Sequence, residues 1–263
     1  MGKKQDENMF AEERKHMIVE IINKEVKTTV AELCERFSVS PATIRNDLRE
    51  LEFAGLLKRT HGGAISNRKA SFELNSYQKE VENIDKKAAI ARVAAQFVQD
   101  GDVIAVDTGT TMFEFIKAIA ETKNIKVVTN DLQIAMYLER FSEIDTILAG
   151  GTVRRNFHST MGPIAVEAIK GFNVDRSFMA TNGVHVTRGV TTPQIDQAQV
   201  KEALVAAGNE VILLADSSKL GKASFVRFAE LSQIDVLITD SGISPEMLAE
   251  LEQAGVHVEV AKV

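Results

Sequence analysis

Apolar positions in the first quarter of the chain recur at helical spacing. Over Glu12–Asn23, Met17, Ile18, Ile21 and Ile22 fall on one face, and Val30–Phe37 repeats the pattern with Leu33, Cys34 and Phe37, so two amphipathic helices are expected. A third helix is marked by its punctuation, because Ser40 is a good N-cap and Pro41 suits the first helical position. Its inward seam is Ile44, Leu48 and Leu51; Ala42, Arg45, Asn46 and Arg49 share the opposite face, and Asp47 falls on the flank between them. The short link Ser38–Ser40 leaves little room between the second and third helices, as a helix-turn-helix requires. Gly55, the pair Leu56 and Leu57, the basic-capable Lys58, Arg59 and His61, and the turn Gly62–Gly63 then read as a β-hairpin wing.

The pattern changes after Ala64. Residues 65–85, "ISNRKASFELNSYQKEVENID", are polar and lack periodicity, which reads as a connector. Asp85 is expected to cap a helix whose Ile90, Val93, Ala94 and Phe97 face inward. Beyond it, "DVIAV", "IKVVT", "DTILA", "EVILLA", "DVLIT" and "VHVEV" are short apolar runs bounded by polar residues or Gly and alternating with helical patterns. Such runs are expected of buried parallel strands. The reading is therefore a small winged helix-turn-helix domain over residues 1–66, a linker over 67–85, and a larger α/β, Rossmann-like three-layer domain over 86–263.

Composition sharpens that division. The 263 residues carry a net charge of −6, yet residues 1–69 hold 13 Lys and Arg against 11 Asp and Glu, and residues 70–263 hold 18 against 26. An acidic domain repels DNA and leaves contact to the basic face of the other. No apolar run approaches the roughly 18 residues of a membrane span, and the polar "MGKKQDEN" is unlike a signal peptide, so a cytoplasmic protein without a membrane partner is expected. Cys34, the single cysteine, excludes an intrachain disulfide and reads as a buried small hydrophobe, and the five histidines show no metal-ligand spacing. Neither metal nor cofactor is expected.

Two clusters carry candidate chemistry. On the third helix and wing, Ser40, Ala42, Thr43, Arg45, Asn46, Arg49, Lys58, Arg59, His61 and Gly62 are the candidate DNA contacts, with the wing cations directed at phosphates and the helix at base edges. In the α/β domain, Asp107 ends a strand and Gly109, Thr110 and Thr111 open a helix, an arrangement suited to a phosphate and lacking the lysine of a nucleotide-binding loop. Thr129 and Asn130, Gly150, Gly151 and Arg154, Asn182 and Gly183, and Lys201, Asp216 and Lys219 lie at or near other strand ends, where open α/β sheets place ligands. Together they suit a small phosphorylated polyol. "SYQK" at 76–79 mimics a Ser-x-x-Lys nucleophile motif but has no companion motif.

Residues 39–64, "VSPATIRNDLRELEFAGLLKRTHGGA", resemble the DeoR-type bacterial transcription regulators, with Asn46 standing where that family often has a second Arg. The resemblance continues through "DTGTT", "TN", "GGTVR", "TTPQIDQAQVK" and "DSSKLG". It implies a sensor domain similar in fold to ribose-5-phosphate isomerases and coenzyme A transferases, with a sugar-phosphate effector at the matching positions. It implies a repressor of a sugar or polyol operon, acting on operator DNA as a homo-oligomer, a dimer or tetramer. The rival readings are a sugar-phosphate isomerase or transferase with an appended helical domain, and a protein-interaction module whose winged domain docks a partner instead of DNA. At the positions aligned with the isomerases' acidic residues this chain has Asn182, His185 and Val200. Neither amide nor valine supplies a carboxylate base, so a non-enzyme is expected.

Overall fold

The computed structural model describes residues 11–25, 27–66 and 73–263, and the chain divides between residues 72 and 73 into two units. The first contains α1 (Ala11–Glu25), β1 (Lys27–Thr29), α2 (Val30–Phe37), α3 (Pro41–Phe53), β2 (Leu57–Thr60) and β3 (Gly63–Ser66). Thr29 and Glu32 form a reciprocal capping box at the start of α2, and Ser38, in the left-handed region at φ 54°, ends it. The Ser40 hydroxyl then accepts the Thr43 N–H at 3.1 Å to open α3. Ile18, Ile22, Leu33, Ile44, Leu48 and Leu51 are buried, so the apolar seams of the three helices meet in one core. Met17 is instead 36% exposed, and Cys34 is half-buried, not sealed in the core.

The wing is a three-stranded antiparallel sheet in the order β1-β3-β2, in which β1 is a strand with no clear periodic signal. Gly62 makes the hairpin turn at φ +100°. At Gly63 a β-carbon would stand 2.1 Å from the Thr28 carbonyl oxygen, so only glycine lets β1 approach β3 this closely. Asp47 does not lie on a solvated flank. It is buried, and its carboxylate accepts from Arg14 Nε at 2.7 Å and Nη2 at 3.2 Å, pinning α3 to α1.

The second unit begins with α4 (Ser76–Glu80), α5 (Ile84–Ala95), β4 (Val103–Val106), α6 (Thr110–Ile119), β5 (Lys126–Thr129), α7 (Leu132–Phe141) and β6 (Asp145–Leu148). Then come β7 (Thr152–Arg154), β8 (Ser159–Met161), α8 (Pro163–Lys170), β9 (Val174–Ala180), β10 (Gly183–His185), β11 (Gly189–Thr192) and α9 (Ile195–Ala207). It closes with β12 (Gly208–Leu214), a 3₁₀ turn at Ser217–Lys219, β13 (Val226–Ala229), β14 (Val236–Asp240), α10 (Pro245–Gln253) and β15 (His257–Ala261). Seven strands form one sheet, β15-β14-β12-β9-β4-β5-β6, and every pairing in it is parallel.

Its strands alternate between two cores, as period-2 geometry demands. Ile104, Val106, Phe178, Ile212 and Ile238 face α5, α6 and α7, while Ala105, Met179, Leu213 and Leu237 face residues of α8, α9 and α10. The result is a three-layer α/β sandwich. From β4 the chain winds outward through β5 and β6, returns to β9 on the other side of β4, and winds outward again through β12, β14 and β15. The winding reverses between β4 and β9, and ligands of such sheets sit beyond the strand ends at that reversal. No helix among the described residues is long and apolar enough to cross a membrane.

The structure corrects the connector reading from residue 73 onward. Glu73 belongs to the second unit, Asn75 caps α4 with a capping box, and α5 starts at Ile84, with Asp85 in its first turn and not at its cap. Residues 67–72 lie outside the described residues.

Candidate functional site

On the first unit, α3 holds Ala42, Arg45, Asn46 and Arg49 exposed on one face, opposite Ile44, Leu48 and Leu51. Ser40 and Thr43 are committed to the cap, where their hydroxyl oxygens lie 2.9 Å apart. The Asn46 amide donates to Glu50 Oε1 at 2.9 Å, which engages one of its two N–H donors and leaves the other and Oδ1 for a base. Lys58, Arg59, His61 and Gly62 are exposed on the wing. The Arg59 guanidinium is paired with Glu52 at 2.6 Å and its backbone N–H also donates to Glu52. The pair tethers β2 to α3, and Arg59 therefore reaches a phosphate only by sharing or leaving that carboxylate.

In the second unit a cavity opens at the reversal point. Thr108, Gly109, Thr110 and Thr111 form one wall, Ala180, Thr181 and Asn182 a second, and Gln197 and Lys201 of α9 a third; Asp216 and Lys219 close the rim. Gly109 is the N-cap of α6 at φ +133°, and no side chain caps the helix, so its first N–H groups remain available where the helix dipole is positive. Asp131 fixes this turn. Its carboxylate accepts from the Thr108 hydroxyl at 2.6 Å and from the N–H groups of Gly109, Gln133 and Ile134. Burial pushes the Asp131 carboxyl up, against those hydrogen bonds.

The floor is an ion pair. Lys201 Nζ donates to Asp107 Oδ2 and, at 3.0 Å, to the Ala180 carbonyl, and Asp107 also accepts the Ala180 N–H at 2.9 Å. Both side chains are within 2% of complete burial, so the pair ties α9 to the ends of β4 and β9. Lys87 of α5 is buried nearby and donates to the Lys79 carbonyl. Burial lowers its ammonium to about 8, opposed by Asp216 and assisted by Lys219.

The sequence-derived site residues thus divide. Gly109, Thr110, Thr111, Asn182, Lys201, Asp216 and Lys219 line the cavity, with Asp107 beneath it. Arg154 enters indirectly, through hydrogen bonds to Gln197 at 2.9 Å and Glu73 at 2.7 Å. Five others do not line it and hold the scaffold. Thr129 is buried and accepts the Asp131 N–H; Asn130 donates to the Thr160 carbonyl at 2.8 Å. Gly150 and Gly151 precede β7, and a β-carbon at Gly151 would strike the Met161 carbonyl at 2.8 Å. At Gly183 it would meet the Lys222 carbonyl oxygen at 2.6 Å. Val200 is core, and the His185 ring accepts the Thr187 N–H at 3.2 Å within its own turn.

The cavity also contains residues that were not singled out as site candidates, among them Glu73, Lys79, Lys87, Phe157 and Gln197. Gln197 was within reach of sequence reasoning, standing four positions before Lys201 on the same helical face. Glu73 was not, because Arg154 and Asn182, which hold it against the cavity, lie far along the chain.

Comparison with known proteins gives a consistent result. Residues 82–241 match the DeoR C terminal sensor domain, and residues 14–70 match the DeoR-like helix-turn-helix domain. The chain is 40% identical to the HTH-type transcriptional regulator GlpR of Haloferax volcanii, over 95% of this chain and 98% of that protein. It is 36% identical to the Transcriptional repressor AccR of Agrobacterium fabrum, over 88% and 90%. Among solved structures, ribose 5-phosphate isomerase A of Methanocaldococcus jannaschii matches 53% of this chain and 55% of its own at 23% identity, with a TM-score of 0.40. The eIF2B delta structure from Chaetomium thermophilum matches 76% and 64% at 15% identity, with a TM-score of 0.45.

Proposed function

We propose a function that proceeds from one premise: the chain belongs to the DeoR family of transcription regulators. It is a DNA-binding regulator with a sensor domain, and not an enzyme. In this reading α3 enters the major groove of operator DNA, Arg45 and Asn46 meet base edges, and Arg49, Lys58 and Arg59 meet phosphates. The effector is a phosphorylated sugar or polyol, and the regulated genes serve its use. Because one α3 reads only a few base pairs, a homo-oligomer on repeated half-sites is the acting form, as a cytoplasmic repressor.

One observation carries the effector assignment. The side-chain-free N-terminus of α6 converges at the sheet's reversal point with Lys87, Lys201 and Lys219. A phosphate ester matches that cationic, donor-rich wall, and the hydroxyls of its polyol match Asn182, Gln197 and Asp216. The test is a thermal-shift screen of ribose 5-phosphate, fructose 1-phosphate and glycerol 3-phosphate beside their unphosphorylated parents. A ligand at 100 times its Kd stabilises by about 2.7 kcal/mol. A rise in melting temperature restricted to phosphorylated compounds, and lost in Lys219→Ala, is expected. No rise with any phosphorylated compound contradicts the assignment.

A further inference from the structure

Glu73 is the first described residue of the second unit, and its side chain is 5% exposed. One carboxylate oxygen accepts from Lys79 Nζ at 2.5 Å and Asn182 Nδ2 at 2.9 Å; the other accepts from Arg154 Nη2 at 2.7 Å. The Arg154 guanidinium carbon lies over the Phe157 ring, 3.5 Å from its centre. Two cations and an amide thus converge on a negatively charged group on the cavity wall, and the chain supplies that group itself. The rest of the segment is fastened alongside. The Ser76 N–H donates to the Asn156 carbonyl at 3.0 Å, and Tyr77 packs edge-on against His158 at 5.1 Å. Asn156 and His158 hold their loop at φ 67° and 54°, left-handed conformations that persist only where surroundings enforce them.

We propose that Glu73 is a built-in competitor for the effector. A dianionic phosphate ester binds by displacing its carboxylate from Lys79, Arg154 and Asn182, and displacement unfastens residues 73–83 from the sensor unit. The proposal rests on the cavity being the effector site and adds how its occupancy is signalled. With Glu73 in place the charged side chains that line the cavity are Lys79, Lys87, Lys201 and Lys219 against Glu73, Glu82 and Asp216, an excess of one positive charge. Moving Glu73 away doubles that excess, the amount a dianion neutralises. The winged sheet ends at Ser66, so Glu73 is joined to it by a short stretch of chain. Freeing 73–83 lengthens that tether by up to ~3.3 Å per residue, which couples the cavity to operator affinity without any fixed contact between the units.

The test is isothermal titration of the full chain with inorganic phosphate at pH 7.5, for wild type, Glu73→Ala and Lys219→Ala. Relief of competition should tighten binding in Glu73→Ala by about tenfold or more, the scale of one charge-assisted hydrogen bond. Equal affinity in wild type and Glu73→Ala, with loss in Lys219→Ala, overturns the competitor and leaves the site standing. Binding indifferent to both substitutions overturns the competitor and the site together. Hydrogen exchange on wild type gives a reading independent of any variant's folding. Saturating phosphate should speed exchange of the Ser76 and Lys79 amides, and slower exchange there overturns the proposal.

Discussion

Buried charges at single residues make the most local predictions. Asp47 and Arg14 form a nearly dry pair across α1 and α3, and removing one partner strands the other. Asp47→Ala should therefore cost about 3–5 kcal/mol, read as loss of the first unit's cooperative melt, and Arg14→Met with Asp47→Leu should recover much of it. Glu73 is pulled the other way by two forces: burial raises its carboxyl, but Lys79 and Arg154 outweigh it and hold the group at about 2, below the ordinary 4.5. A carboxyl depressed on folding adds stability above pH 4.5 and loses it as pH falls toward 2. Its full value is on the order of 3 kcal/mol, so the stability gap between wild type and Glu73→Gln should be constant above pH 4.5 and close as pH falls from 4.5 toward 2. Lys87 has the opposite sign. Its ammonium at about 8 lies below the ordinary 10.5, so charge burial destabilises the fold at neutral pH and the penalty fades as pH rises from about 8 toward 10.5. Lys87→Met should raise the melting temperature at pH 7 while weakening phosphate binding.

At the scale of elements, the proposed function divides recognition between α3 and α6. Arg49→Ala should lower affinity for all duplexes alike and reduce the salt slope by about one, whereas Arg45→Ala should relax base preference at one position. Fluorescence anisotropy on duplexes selected from a random pool separates these outcomes. In α6, Gly109→Ala forces a side chain to φ +133°, though its β-carbon would meet nothing closer than Ala180 at 3.8 Å. The cost is conformational, about 1–3 kcal/mol, and it should appear as both lower stability and weaker phosphate binding. Elements also show where sequence patterns suffice. The seams of α1 to α3 and the six apolar runs became helices and sheet strands because each declares its periodicity within a few residues. The central β9 escaped because Asp175, Arg176 and Ser177 interrupt its apolar run. Those polar groups are satisfied from other elements: Arg176 pairs with Asp102 and Glu210, Asp175 accepts the Val103 N–H, and Ser177 donates to the Leu204 carbonyl.

On the scale of the whole molecule, the same distinction explains the cavity. Residues 107, 109–111, 182, 201, 216 and 219 were legible because strand ends and helix starts in an open sheet collect at its reversal point. Residues 73–83 read as a loose connector because their order comes from Arg154 and Asn182, roughly a hundred positions away and invisible to any local window. A polar, aperiodic stretch is then either solvated or held by distant charges, and only the fold distinguishes the two. In the proposed function the reversal-point cavity takes a phosphorylated ligand, and its occupancy sets operator binding. The direct measurement is operator affinity of the wild-type chain titrated with whichever phosphorylated compound raises its melting temperature, beside its unphosphorylated parent. Operator Kd should change about fivefold or more with the phosphorylated compound, stay constant with the parent, and stay constant with both in Lys219→Ala. An operator Kd unmoved at saturating phosphorylated ligand would rule out control of DNA binding by the cavity.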